Sequence, residues 1–102
     1  MKIHSKDKIL PKKRYSAFFE TDLEAFLRAK EIRDLIISGV MTNLCCETTA
    51  WDAFMRDYRV FFLIDGTATG IDEHHLATLK NLGFGFGFAY LMTCDELRSM
   101  LR

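Results

Sequence analysis

The chain reads as an α/β domain, a βαβαβ half of a doubly wound sheet with parallel strands. Three observations predict this. Two continuous apolar runs, Leu35-Ile36-Ile37 and Val60-Phe61-Phe62-Leu63-Ile64, have the β-branched and aromatic content of strands buried on both faces. A third apolar run, Ala89-Tyr90-Leu91-Met92, lies further along the chain. Between successive runs the apolar residues take helical spacing, which supplies the crossover helices that parallel strands require. At 102 residues, 49% of them hydrophobic, there is material for one small domain with a real core.

Taken in order, a basic lead-in gives way to a strand stub at Ile9-Leu10, ended by Pro11. Thr21-Asp22-Leu23-Glu24 has the form of a capping box, with Thr21 at N-cap and Glu24 at N3, and opens a helix over about 22–30. Leu23, Phe26 and Leu27 form its apolar stripe. The strand at 35–37 follows, then a helix from the cysteine pair to about Asp57, then the strand at 60–64. Asp65-Gly66-Thr67-Ala68-Thr69 reads as a loop at that strand's carboxyl end, the edge where open α/β sheets gather functional groups. A helix over about 72–82 would turn Leu76, Leu79 and Leu82 inward. The run Gly83-Phe84-Gly85-Phe86-Gly87-Phe88 reads as a helix end leading into the third strand. Thr93-Cys94-Asp95-Glu96 is a second capping box, opening a last helix with Leu97, Met100 and Leu101 toward the core. A sheet of three strands leaves an apolar edge unpaired, so a homo-oligomer or a partner chain over that edge is expected.

Composition excludes several function classes. Fourteen Lys+Arg balance fourteen Asp+Glu, so no global field draws nucleic acid or anionic lipid, and neither partner is expected. The excess of Lys2, Lys6, Lys8, Lys12, Lys13 and Arg14 over Asp7 reads as a solvated lead-in. No stretch has the apolar length of a membrane span, and no apolar core follows the first lysines, so a cytoplasmic location is expected. Three cysteines, two of them adjacent, form neither a disulfide framework nor a C-x-x-C pair, which fits reduced thiols. His74 and His75 are neighbours without a third spaced ligand; they read as surface helix residues, and neither a metal nor another cofactor is expected.

The segment richest in chemistry is Gly39-Val40-Met41-Thr42-Asn43-Leu44-Cys45-Cys46-Glu47-Thr48-Thr49-Ala50, which carries thiols from the end of a strand into the first turn of a helix. Cys46, Ala50, Ala53 and Phe54 fall at i, i+4, i+7 and i+8 and share one face, so Cys46 packs inward while Cys45, one residue aside, can face a cleft. Free N–H groups and the partial positive charge of a helix start favour a thiolate there. Spacing alone leaves two readings of Cys45 open, a small core residue or a nucleophile. Trp51, with Leu44, Thr48 and Met55, lines a second apolar stripe that would cap an exposed surface.

Two motifs resemble the isochorismatase-like cysteine hydrolases, a family that includes nicotinamidases, N-carbamoylsarcosine amidases and isochorismatases. One is the lysine loop Pro11-Lys12-Lys13-Arg14-Tyr15-Ser16-Ala17-Phe18 with Thr21-Asp22-Leu23, and the other is the thiol segment from Gly39 to Ala53. Their order and separation also agree with the family, as do Asp65-Gly66-Thr67-Ala68 and Phe88-Ala89-Tyr90. The resemblance implies a three-layer α/β/α, Rossmann-like parallel sheet, here truncated at its N-terminal strands. It covers about residues 9–102 as a single partial domain, with 1–8 as the polar lead-in.

By that resemblance Cys45 would be the nucleophile and Lys12 the lysine that positions the substrate carbonyl and shuttles a proton to the leaving group. A non-proline cis peptide would join Val40 and Met41, and the N–H groups of Met41 and Cys45 would form the oxyanion hole. The implied chemistry is hydrolysis of a small-molecule amide-type C–N bond through a thioester. The family's catalytic aspartate lies in a segment of the form Asp-x-Gln-x-x-Phe, and none occurs in these 102 residues. The competing reading is a catalytically silent remnant that serves as an interaction or oligomerisation module. A thiol redox role for Cys45 and Cys46 is disfavoured, because adjacent cysteines form strained disulfides.

Overall fold

In the computed structural model, residues 5–83 and 87–101 are described. Helix α1 spans Leu23–Ala29, strand β1 Asp34–Val40, a π-helical turn Thr42–Cys46, and helix α2 Glu47–Met55. Strand β2 (Arg59–Ala68), helix α3 (Asp72–Leu82), strand β3 (Tyr90–Met92) and helix α4 (Cys94–Met100) complete the order. The sheet is parallel, in the order β1-β2-β3. The expected α/β class and parallel crossovers are both present.

Strand alternation sorts the core. Val60 and Phe62 of β2, both fully buried, face Leu27, Ile37, Ala50, Ala53, Leu79 and Leu82 from α1, β1, α2 and α3. Leu63 and its register partner Met92 point to the opposite face, and α4 packs near β2. Two alanines with no exposed surface let α2 approach β2 closely. Gly83 ends α3 where a Cβ would meet Leu91 Cδ1 at 2.3 Å, so only glycine fits against β3. Phe88 returns to α2, its ring stacked on Phe54 at 4.3 Å and edge-on to Trp51 at 4.7 Å. The second stripe of α2 is therefore part covered, although Met55 stays exposed.

Several expectations are corrected. Ile9-Leu10 forms no strand, and Ile9 is exposed. The N-cap of α1 is Asp22, without a side-chain cap bond; Thr21 instead accepts from the Leu23 N–H at 3.3 Å and donates to the Ala17 carbonyl. Strand β1 is longer than its apolar run and is not buried on both faces, because it lies at the sheet edge and only Ile37 is buried. The segment from Asp65 to Ala68 is not a free loop. It bulges out and returns to the ladder, Thr67 opposite Gly39 and Ala68 opposite Val40.

Leu76 is exposed while Leu79 and Leu82 are buried, and Met100 and Leu101 are exposed, so α4 buries far less than its pattern suggested. The second capping box is present: Thr93 Oγ1 accepts from the Glu96 N–H at 3.1 Å, and the Thr93 N–H donates to Glu96 Oε1 at 2.9 Å. The middle of the Gly-Phe run, 84–86, lies outside the described residues.

Candidate active site

The thiol turn is built where β1 ends. Gly39 has φ +111°, a conformation that side chains disfavour, and the Val40–Met41 peptide bond that follows is cis. The chain then winds through the Thr42–Cys46 turn before α2 begins, so Cys45 sits in a π-helical turn rather than in the first turn of an α-helix. The Met41 carbonyl accepts from the Leu44 N–H at 3.2 Å and from the Cys46 N–H at 3.1 Å. Those bonds run from i to i+3 and i+5, so this carbonyl passes over the Cys45 N–H between them. Thr42 is fully buried. Cys45 is half-buried and Cys46 buried, as the helical spacing implied.

The lysine loop closes over this turn. Lys12 Nζ lies 3.8 Å from Cys45 Sγ and is held there by donating to the carbonyls of Arg14 at 2.9 Å and Tyr15 at 3.2 Å. The loop is tied to α2 by the Ala17 N–H, which donates to Thr49 Oγ1 at 3.0 Å. Buried Phe18 anchors its far end, 5.9 Å from the Tyr58 ring. A cleft of about 300 Å³ opens between them, lined by Lys12, Ala17, Ile36, Val40, Cys45 and Thr49 among others. It runs out over the exposed edge of β1, where Val40 is 67% and Met41 39% exposed.

The three thiols sit in different surroundings. Burial, and then the neighbouring Cys45, push the Cys46 thiol up to about 11, so it stays protonated and inert. Cys94, at the start of α4, is raised by a hydrogen bond to Asp65, whose carboxylate also accepts the Cys94 N–H at 2.7 Å. The same N–H holds Asp65 below the usual carboxylate range. Cys45 instead has an ammonium beside it.

Sequence reasoning missed His75. Its ring is half-buried, with Nδ1 2.8 Å from Thr42 Oγ1 and Nε2 3.0 Å from the Ile64 carbonyl. Only His74 is the exposed surface residue expected of both. The helical period of α3 contained no signal for this, because the partners lie 33 and 11 positions away. Among the described residues no group of three or more His, Cys, Asp or Glu is placed to hold a metal ion. No helix among them is long and apolar enough to cross a membrane.

The isochorismatase domain matches this chain over residues 1–96. The chain belongs to the isochorismatase family. Within it, nicotinamidase 3 of Arabidopsis thaliana is 53% identical over 95 residues, covering 93% of this chain and 47% of that protein. The ureidoacrylate amidohydrolase RutB of Methylorubrum extorquens is 40% identical over 100 residues, covering 90% of this chain and 40% of its own length. Among solved structures, an isochorismatase-like hydrolase from Alkaliphilus metalliredigens superposes with a TM-score of 0.93 at 33% identity, over 100% of this chain and 54% of that one. N-carbamoylsarcosine amidase from Thermoplasma acidophilum gives a TM-score of 0.77 at 30% identity, over 91% and 51%. The chain thus spans about half the length of the relatives it matches.

Proposed function

We propose that this chain carries the thiol and lysine of an isochorismatase-family cysteine hydrolase that cleaves a small amide-type C–N bond. The observation that supports this best is the approach of Lys12 Nζ to Cys45 Sγ at 3.8 Å beside a cleft open to solvent. In this reading the Cys45 thiolate attacks the substrate carbonyl carbon, and the developing oxyanion is met by the N–H groups of Met41 and Cys45. The Cys45 N–H is suited to this because the Met41 carbonyl passes it over. Collapse of the tetrahedral adduct breaks the C–N bond, and Lys12 passes a proton to the departing ammonia or amine. Water then hydrolyses the thioester, releasing the carboxylic acid and restoring the thiol. Relatives named as a nicotinamidase and a ureidoacrylate amidohydrolase support an amide substrate.

The base that accepts the thiol proton comes, in this reading, from a carboxylate outside these 102 residues, delivered across the open edge of β1. A homo-oligomer or a partner chain would cover that edge, and reduced thiols fit a cytoplasmic setting. The exposed Ile36 and Val40 on the same edge favour a second reading, an interaction module without turnover. Ammonia release from nicotinamide and from a ureido amide, with Cys45→Ala as control, tests the first reading. Release abolished by the substitution upholds it; no release, together with equal alkylation rates at Cys45 and Cys94, overturns it in favour of the second.

A further inference from the structure

His75 has both ring nitrogens engaged, and the two partners fix its proton. The Ile64 carbonyl only accepts, so the nitrogen 3.0 Å from it, Nε2, carries the hydrogen. A neutral ring then presents Nδ1 as an acceptor, and the Thr42 hydroxyl 2.8 Å away donates to it. This chain of bonds links β2, α3 and the first residue of the π-helical turn. It ends on a hydroxyl with no exposed surface, where an unmade bond is at its most costly.

We propose that His75 is a positioning residue for the thiol turn. By holding the Thr42 side chain, it keeps the turn in the geometry where the Met41 carbonyl takes the Leu44 and Cys46 N–H groups and passes over that of Cys45, the N–H that the hydrolase reading assigns to a substrate oxyanion. Without the clamp, the turn is free to relax toward an α-helical i to i+4 bond, which would consume the Cys45 N–H. His75 touches neither thiol nor amine, so its effect falls on oxyanion stabilisation rather than on substrate binding. This rests on the hydrolase reading for its consequence, though the clamp itself is a statement about the turn.

The test uses the full chain labelled with 15N. Long-range proton–nitrogen correlation should show His75 as the Nε2–H tautomer, with exposed His74 as the internal reference. Thr42→Val, which keeps the shape and removes the hydroxyl, should speed amide exchange at Cys46 by about tenfold, while Thr42→Ser stays within about twofold of the unmodified chain. Where turnover is present, Thr42→Val should lower kcat and leave KM within about twofold, whereas loss of general packing would move neither selectively. An Nδ1–H tautomer at His75 overturns the proposal without any variant being made. So does unchanged Cys46 exchange in a folded Thr42→Val protein. If no turnover is found but the tautomer and the exchange respond as stated, the clamp stands and the hydrolase reading is the one that fails.

Discussion

Two cysteines in this molecule follow parallel strands, Cys45 in the π-helical turn ahead of α2 and Cys94 as the first residue of α4, and opposite charges surround them. At the end of β1, Cys45 meets the Lys12 ammonium at 3.8 Å. At the end of β3, Cys94 meets the Asp65 carboxylate, which takes its N–H at 2.7 Å and raises its thiol. At Cys94, α4 offers its N-terminal N–H groups to a fixed carboxylate and to the Thr93 cap, leaving little for a sulfur anion. Both thiols lie a few residues past a parallel strand. The charge brought by a distant loop separates them, and with it the chemistry each can do.

The sharpest way to break this comparison is to remove each thiol in turn. Cys45→Ala should reduce any amide hydrolysis by at least about a thousandfold, and Cys94→Ala should leave it unchanged, measured as ammonia release. Next, Lys12→Met removes the ammonium 3.8 Å from Cys45 Sγ and should lower any ammonia release by about a hundredfold, with iodoacetamide labelling of Cys94, read by peptide mass spectrometry, unchanged. In the other direction, Asp65→Asn removes the charge that keeps the Cys94 proton on. The Cys94 titration should then move down toward the ordinary thiol range, and its labelling at pH 8 should rise several-fold by the same assay.

Cys46, pushed up to about 11, is the inert reference: its labelling should stay negligible through pH 8 and grow only as pH climbs toward that value. The smallest effect is expected from Thr93→Ala, which loses the α4 cap bond and should lower stability by about 1 kcal/mol in a urea melt.

How much of this was legible in the chain depends on how local each cause is. The limits of α3, the Thr93–Glu96 box and the inward face of Cys46 follow from spacings within one helix turn, and the structure reproduces them. The Thr21 box failed although its pattern is equally good, because Asp22 starts the helix and Thr21 instead binds back to Ala17. Leu76 and Met100 fit their helical stripes, yet a stripe says nothing about how wide the facing sheet is, and three strands do not reach them. The return of Thr67 and Ala68 to the ladder is set by pairing with Gly39 and Val40, a long-range choice that composition around Asp65 does not encode. Lys12 and Cys45 are 33 positions apart, and only resemblance to a family joined them in advance. His75 had no such help.

The Arg59–Asp34 pair has a consequence for how the sheet is assembled. Its two hydrogen bonds, at 2.6 and 2.7 Å, join residues that are register partners at the very first rung of β1 and β2. A fork of this shape does not fit if one strand slides by a residue, since the slide would turn one of the two side chains to the opposite face of the sheet. At the far end the same two strands fall out of step around Asp65 and Gly66 before rejoining. The molecule therefore behaves like a zip fastened at its foot. Whatever play the upper rungs have, and the thiol turn hangs directly from them, is measured from that fixed pin.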